Sequence, residues 1–297
     1  MKRMLSILMA ALLMVTVFAS CSKQEAGQPG KGSFDADNDI MVVSREDGSG
    51  TRGAFVELFG VEQKDEQGNQ VDMTTLEATI ANSTSVVMTT VAGNPYAIGY
   101  ISLGSLDETV KALKIDGVEA SVQNVKDGSY QIARPFNIAV KKEGVSEAAQ
   151  DFINFIMSAE GQKVVGENNC IPAADDAKAY AGNAPAGKIV IAGSSSVSPV
   201  MEKLVEAYGA VNPNAEIELQ TNDSSTGMSY AMDGVCDIGM ASRELKDSEL
   251  AALTPSVIAL DGIAVVVNNE NTLEDLSAEA VKGIYTGEFF SWADVAK

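Results

Sequence analysis

The chain has 297 residues, of which 45% are hydrophobic, and this is enough for two globular domains of ordinary size. Its formal net charge of -20 argues against nucleic acid as a partner, because nucleic-acid phosphates are bound by clustered Lys and Arg. The absence of histidine from the sequence excludes Ser-His-Asp and Cys-His catalysis and the commonest zinc sites. We therefore expect no bound metal or cofactor and no enzymatic activity.

The N-terminus has the pattern of a signal peptide. Lys2 and Arg3 precede an uncharged apolar run over residues 4–20, and Cys21 follows directly after small residues. We therefore predict removal of residues 1–20 and acylation of Cys21, which would anchor the protein to a membrane outside the cytoplasm; an ordinary signal peptide or a short anchor helix is the alternative. Residues 21–38 have no apolar periodicity and are predicted to form a flexible tether. No later stretch approaches the ~20 apolar residues that a membrane span requires.

From Asp39 onward, short runs rich in Val and Ile alternate with amphipathic helical patterns. Residues 40–43 precede a helix that carries Phe55 and Phe59, and later helices repeat the pattern. This alternation predicts an α/β fold with largely parallel strands. The pattern is interrupted at residues 172–187, which are rich in Ala, Asp and Gly, and a new strand begins with KIVIAGSSS at Lys188.

In three segments, a hydrophobic strand ends in a Gly, Ser or Thr loop that opens a helix. The unpaired N–H groups and the positive end of such a helix favour a bound anion. The loops are Ser49, Gly50 and Thr51 with Arg45 and Arg52 beside them, Ser195 and Ser196, and Ser224 with the residues that follow it. One loop alone is usually a helix cap, but three together indicate an anion site. None has the spacing of a nucleotide-binding P-loop.

Six segments taken together resemble the phosphate-binding proteins of ABC uptake systems. They are GSSSVSPVMEKL, DIGMASRELKDSE, LDGIAVVVN, IYTGEFFSWADV, VVSREDGSGTRGAF and AGNPYAIGYISLGSL. The resemblance covers nearly the whole chain after Asp39. It implies a solute-binding lipoprotein that captures inorganic phosphate and delivers it to the permease and ATPase subunits of an ABC importer.

The order of these segments differs from the order in the family, where the segment like GSSSVSPV comes first. Residues 188–297 followed by residues 39–171 resemble one complete family member. We therefore expect a circular permutation, in which residues 172–187 join the ancestral ends. A tandem fusion that lost its outer halves and a pair of chains that exchange lobes are the alternatives.

The resemblance implies a two-lobed α/β fold of the type II periplasmic-binding-protein class, with two crossover strands near residues 134–140 and 263–267. One lobe would contain residues 134–266, and the other residues 39–133 and 267–297. The implied phosphate ligands are Ser195, Ser196, Ser224 and Ser242 on the first lobe, and Arg45, Ser49, Gly50 and Thr51 on the second.

The sequence departs from the family pattern beside Ser242. Some family members place there an aspartate that accepts the proton of hydrogen phosphate, whereas this chain has Arg243, which we expect to support the site or to pair with a neighbouring acid. We interpret Asp47 as a partner of Arg45, and Arg52 as a supporting residue. Without this acceptor, the protein would discriminate less strongly between phosphate and sulfate.

Other interpretations remain open on the sequence alone. The chain could bind another oxyanion such as sulfate or molybdate, or act as a surface phosphate sensor or adhesin that takes no part in transport. A phosphatase has the least support, because no activated nucleophile is visible. Cys170 and Cys236 could form a disulfide or remain two free thiols.

Overall fold

The computed structural model describes residues 34–174 and 176–295 of the chain. The predicted signal peptide, Cys21 and the first part of the predicted tether lie outside these residues. The strands are β1 Met41–Arg45, β2 Glu62–Lys64, β3 Gln70–Asp72, β4 Thr79–Ala81, β5 Ala97–Ser102, β6 Lys111–Ala112, β7 Lys114–Ile115, β8 Ala133–Lys141, β9 Ile171–Pro172, β10 Gly187–Ser194, β11 Ala215–Asn222, β12 Ile238–Ala241, β13 Leu253–Val267 and β14 Asp275–Leu276.

The helices lie between these strands. They are α1 Gly50–Leu58, α2 Thr84–Ala92, α3 Val122–Lys126, α4 Glu147–Ile156, α5 Ala159–Glu167, α6 Ser198–Val211, α7 Ser224–Asp233, α8 Asp247–Leu250, α9 Ala278–Thr286 and α10 Trp292–Val295. A short 3-10 turn follows β5 at Leu103–Ser105. Within the described residues, no helix has the length and apolar character needed to cross a bilayer.

The main sheet has the strand order β11-β10-β12-β8-β13-β5-β1-β4. The outer strands on each side pair in parallel, as the alternation of strands and helices predicts, while β8 and β13 in the middle run antiparallel to their neighbours. Its strands carry long buried runs, such as all six residues of β5, because helices cover both faces of a parallel sheet. The fold is therefore mixed α/β, as predicted.

The molecule has two lobes: one contains a single large hydrophobic core, and the other contains two core clusters. We call residues 34–132 and 263–295 the split lobe, and residues 133–262 the continuous lobe. The lobes are connected through β8 and β13, where Gly262 pairs with Ala133 and the Ile263 N–H donates to the Ile132 carbonyl at 2.8 Å. We predicted a crossover near residues 263–267 and a lobe boundary after residue 266, but residues 263–267 already pair with β5 and pack in the core of the split lobe. The lobe boundary consequently lies about four residues earlier than predicted.

Helix α4 shows how the amphipathic pattern builds a core. Ser146 caps its N-terminus by accepting the Ala149 N–H at 3.2 Å. Phe152, Phe155 and Ile156 share its buried face, as their helical spacing requires. In α6, Met201, Leu204 and Tyr208 form the buried face, and Pro199 lies in the first turn, where its missing N–H leaves no hydrogen bond broken.

The first and last described segments lie side by side on the split lobe. Asp39 and Ser291 form an antiparallel β-bridge, and the Trp292 N–H donates to the Asn38 carbonyl at 3.2 Å. The Phe34 ring packs 5.8 Å from the Trp292 ring, centroid to centroid. Residues 34–38, which we included in the predicted tether, therefore belong to the folded body.

The connecting segment at residues 172–187 packs against the continuous lobe. The Tyr180 hydroxyl donates to the Asp151 carboxylate at 2.5 Å, and the Tyr180 ring packs edge-on against Phe155. Residue 175 lies outside the described residues, and the described remainder between β9 and β10 forms neither helix nor strand. Cys170 and Cys236 are both buried free thiols, so the disulfide alternative does not hold in this structure.

Candidate functional site

Four helices begin at the cleft between the lobes, each at the carboxyl end of a strand. Helices α1 and α2 follow β1 and β4 in the split lobe, and α6 and α7 follow β10 and β11 in the continuous lobe. Side chains cap three of them: Ser49 accepts the Arg52 N–H, Ser83 accepts the Val86 N–H, and Asp223 accepts the Thr226 N–H. The remaining N–H groups of the first turns and four positive helix ends face the same region, and both favour an anion.

Hydroxyl groups from both lobes meet in this cleft. The Thr51 and Ser196 hydroxyl oxygens are 2.8 Å apart, and those of Thr84 and Ser196 are 3.2 Å apart. The Thr84 backbone N–H also donates to the Ser195 hydroxyl at 3.3 Å. All four residues are buried, so the cleft is closed and these hydroxyls are shielded from bulk water.

Arg45 contributes a positive charge to the cluster from the end of β1. Its side chain is only 2% exposed, and its Nε and Nη2 each donate to the Glu46 carboxylate at 2.7 Å. Its Nη2 also donates to the Ser195 hydroxyl of the other lobe at 3.0 Å. The bidentate contact with Glu46 fixes the plane of the guanidinium and aims its other edge across the cleft.

The predicted pairing of Asp47 with Arg45 is wrong. The Asp47 side chain is fully exposed and pairs instead with the Arg52 Nη1 at 3.1 Å. Arg52 also pairs with Asp72 and donates to the Arg45 carbonyl, so it lies behind the cluster. Asp47 lies in the turn that follows β1, where the alternation of the strand has ended, and its side chain points toward solvent.

Gly50 allows the two lobes to approach each other closely. A Cβ at this position would lie 2.5 Å from the Ser224 hydroxyl oxygen and 2.8 Å from that of Ser242. Behind them, the Ser242 N–H donates to the Ser224 hydroxyl at 3.1 Å, and the Ser194 hydroxyl donates to that of Ser242 at 2.9 Å. Only a glycine fits at this point of contact.

The structure brings most of the sequence-predicted residues into one cluster and leaves some outside it. The cluster contains Arg45, Gly50, Thr51, Ser195, Ser196, Ser224 and Ser242. Ser49 caps α1 beside it. Arg243 turns away: its Nη1 and Nη2 each donate to the Glu249 carboxylate at 2.8 Å, and Nη2 also donates to the Ser225 hydroxyl at 3.2 Å.

Sequence reasoning missed Thr84, which contacts Arg45, Ser195 and Ser196. The signal was present in the sequence, because TIANSTSVV is a fourth strand that ends in a Ser and Thr loop and opens a helix. Of the carboxylates in the described ranges, only that of Glu46 hydrogen-bonds to the cluster. The cluster in the cleft thus offers hydrogen-bond donors, and hydroxyls that can either donate or accept, but no free carboxylate acceptor.

A buried ion pair lies at the connection between the lobes. Arg134 Nη2 is 3.2 Å from the Asp261 carboxylate, which also accepts the Ser102 hydroxyl and the Gly104 N–H. Burial lowers the pKa of Arg134 to about 10, although Asp261 opposes this shift. Burial raises the pKa of Asp261, and Arg134 and Ser102 oppose it. Arg134 therefore remains charged at neutral pH and ties β8 to β13 and to the split lobe.

Comparison with known proteins gives matches over the whole chain. A model of the PBP superfamily domain matches residues 24–160 and 178–297. The Phosphate-binding protein PstS 2 of Streptococcus agalactiae is 53% identical over 297 residues, which cover 99% of each chain. A crystal structure of a phosphate-binding protein of a phosphate ABC transporter from Streptococcus pneumoniae is 47% identical with a TM-score of 0.69, and the match covers 87% of this chain and 100% of that one.

A further relative matches only part of the chain. The Phosphate-binding protein PstS of Bacillus subtilis is 30% identical over 112 residues, which are 37% of each chain. The Streptococcus agalactiae relative thus aligns over nearly the full length of both chains, whereas the Bacillus subtilis relative aligns over little more than one third of its length.

Proposed function

The chain belongs to the phosphate-binding proteins of ABC transporters within the PBP superfamily, and we propose that it captures inorganic phosphate between its two lobes and delivers it to an ABC importer. The observation that carries this proposal is the cluster in the cleft, where Arg45 and hydroxyls from both lobes meet at four helix N-termini. A tetrahedral dianion offers acceptors in four directions, and such a ring of donors matches them.

Each group has a distinct task in this proposal. Arg45 donates charge-assisted hydrogen bonds to phosphate oxygens, and Glu46 holds its guanidinium in place. The hydroxyls of Thr51 and Thr84 bind from the split lobe. The hydroxyls of Ser195, Ser196, Ser224 and Ser242 bind from the continuous lobe. Phosphate that contacts both lobes would keep the cleft closed.

Isothermal titration of ligand-free protein with inorganic phosphate tests the proposal. We expect one binding site per chain and an affinity that depends on Arg45. A flat titration with protein shown to be folded by circular dichroism would contradict it.

A second candidate is a binder of other tetrahedral oxyanions, and the position after Ser242 favours it. Arg243 follows Ser242 and is paired with Glu249, so this position supplies no free carboxylate acceptor. A carboxylate acceptor rejects sulfate because facing lone pairs repel, and hydroxyls lack that effect. We expect sulfate to compete measurably with phosphate in a displacement titration, and complete exclusion of sulfate would argue against this candidate.

The proposal includes binding without turnover and anchoring outside the cytoplasm. Relatives named as phosphate-binding proteins support the first part, and a phosphate-release assay with a phosphate ester should give no signal above buffer. Acylation of Cys21 follows from the sequence pattern alone. Replacing Cys21 by Ala should abolish incorporation of labelled fatty acid and release the protein from membranes.

We also propose that the chain is a circular permutation of the arrangement found in more distant relatives. The adjacent positions of residues 38–39 and 291–292 support this proposal, because a permuted chain needs a break where two ends can lie together. The partial match to the Bacillus subtilis protein is consistent with it, since a collinear alignment can cover only one part of a permuted pair. Joining residue 295 to residue 39 and opening the chain within residues 173–186 should give a protein that folds and binds phosphate.

A further inference from the structure

A cavity of about 520 Å³ lies between the lobes beside the proposed phosphate site. Thr84 and Ser195 are shared by the cavity and the proposed phosphate site, because they line the cavity and also contact the Arg45 guanidinium. An anion oxygen bound by these two hydroxyls would face the cavity. The cavity therefore begins where a substituent on one phosphate oxygen would emerge.

The cavity has room for a small organic group, and its lining combines the apolar side chains of Met88, Leu106 and Pro199 with hydroxyls and carboxylates. Its volume is far larger than the ~30 Å³ that one water molecule occupies in the liquid. The split lobe lines it with the first turn of α2 and with the 3-10 turn after β5, and the continuous lobe with the first turns of α6. The Ser105 hydroxyl is buried there without a hydrogen-bond partner, and a buried hydroxyl is stabilised when a ligand supplies one.

The charge of the lining selects among polar substituents. The carboxylates of Asp107 and Glu202 lie in the lining on opposite lobes, and no Lys or Arg is among the residues that line this cavity. Both residues are exposed, so they mark the outer part of the cavity, while Thr84 and Ser195 are buried at its inner part. The anion end and the acidic end are therefore separate, and this arrangement fits a zwitterion.

We propose that the cleft also accepts small phosphate monoesters that carry an ammonium group, with the phosphate on the Arg45 cluster and the ammonium between Asp107 and Glu202. This inference rests on the proposed phosphate site. The ester oxygen would point toward Thr84 and Ser195, at the inner end of the cavity. The other three phosphate oxygens would then contact Thr51, Ser196 and Arg45, as proposed for inorganic phosphate. No bond of the ligand is broken in this step.

Titration calorimetry with four ligands tests the inference. Inorganic phosphate, phosphoethanolamine, glycerol 3-phosphate and methyl phosphate are added separately to the ligand-free full chain. We expect phosphoethanolamine to bind within about tenfold of phosphate, and glycerol 3-phosphate, which has no ammonium group, to bind more weakly than phosphoethanolamine. Equal binding of these two esters would refute the role of the carboxylates.

A double variant, Asp107→Asn with Glu202→Gln, serves as the matched control, because both residues are exposed and make no contact with the Arg45 cluster. Exposed charge pairs contribute little individually, so we expect it to weaken phosphoethanolamine about threefold to tenfold and to leave inorganic phosphate unchanged. Equal weakening of both ligands would overturn the inference. If phosphate binds and no ester does, the inference fails while the proposed function stands; if no ligand binds to folded protein, the proposed function fails as well.

Discussion

Replacing Arg45 by Ala removes the positively charged side chain that contacts the cleft hydroxyls. Its side chain is 2% exposed and donates to Ser195 at 3.0 Å and to Thr84 at 3.4 Å. Truncating one member of a buried, hydrogen-bonded charge pair costs about 2 to 5 kcal/mol of binding. Since about 1.4 kcal/mol corresponds to a tenfold change, we expect phosphate affinity to fall roughly 30-fold to 4,000-fold.

The loss should lie in the upper half of this range, because Glu46 loses its partner. The Glu46 carboxylate makes two 2.7 Å hydrogen bonds to Arg45, and in the variant its charge would remain close to the dianion. Adding Glu46→Gln to Arg45→Ala should therefore restore part of the affinity. Titration calorimetry measures all three proteins, and thermal melts show whether each is folded.

Arg243→Ala is the matched control for this series. Arg243 also makes a bidentate ion pair, with Glu249 at 2.8 Å, but it does not contact Arg45. We expect this variant to melt at a lower temperature and to bind phosphate within about threefold of the parent protein. An Arg45→Ala variant with parental affinity would show that phosphate binds elsewhere. An equal loss of phosphate affinity in Arg45→Ala and Arg243→Ala would show that the net charge of the protein, and not the position of Arg45, determines the affinity.

Three further predictions follow from the structure. Thr84→Val removes a hydroxyl but keeps the shape of the side chain; hydrogen bonds to charged groups contribute about 1.5–3 kcal/mol, so titration should show roughly 10-fold to 100-fold weaker phosphate binding. Gly50→Ala places a methyl group 2.5 Å from the Ser224 hydroxyl, so the cleft should stay open, and small-angle scattering with phosphate should show no contraction. Burial raises the pKa of Glu249, but hydrogen bonds from Arg243 and Lys246 outweigh it and the net pKa is lowered. A lowered pKa stabilises the fold above the unfolded value near 4.5, and this effect is lost as the pH falls through the folded value. Glu249→Gln should therefore destabilise the protein at pH 7 in urea unfolding, and the difference from the parent should shrink steadily as the pH is lowered below 4.5.

The sequence allowed the helix-start residues of the cleft to be predicted, because each signal is local. A buried strand followed by Ser, Thr and Gly marks a helix start wherever the rest of the chain lies, and this holds for Thr51, Ser196 and Ser224. That the loops meet required the resemblance to the family, since no local pattern tells which strands become neighbours. Thr84 carried the same signal and was overlooked because β4 is only three residues long.

The contacts of charged side chains were less predictable. The acid that pairs with Arg45 depends on which way residues 46 and 47 turn after β1 ends, and the choice of Glu46 over Asp47 is decided by the direction of the backbone at that turn. The lobe boundary in β13 lies about four residues earlier than we predicted, for a related reason. Residues 263–267 form an apolar run that could belong to either lobe, and only their pairing with β5 assigns them to the split lobe.

The first and last described segments meet on one lobe, and this has a consequence for fluorescent sensors of cleft closure. A donor and an acceptor dye attached near residues 36 and 294 would both lie on the split lobe. The energy transfer between them would therefore stay constant while the cleft opens. Leu76 and Leu250 are exposed on opposite lobes and would report the motion instead. Surface immobilisation through either terminus would likewise hold the split lobe and leave the continuous lobe free to swing.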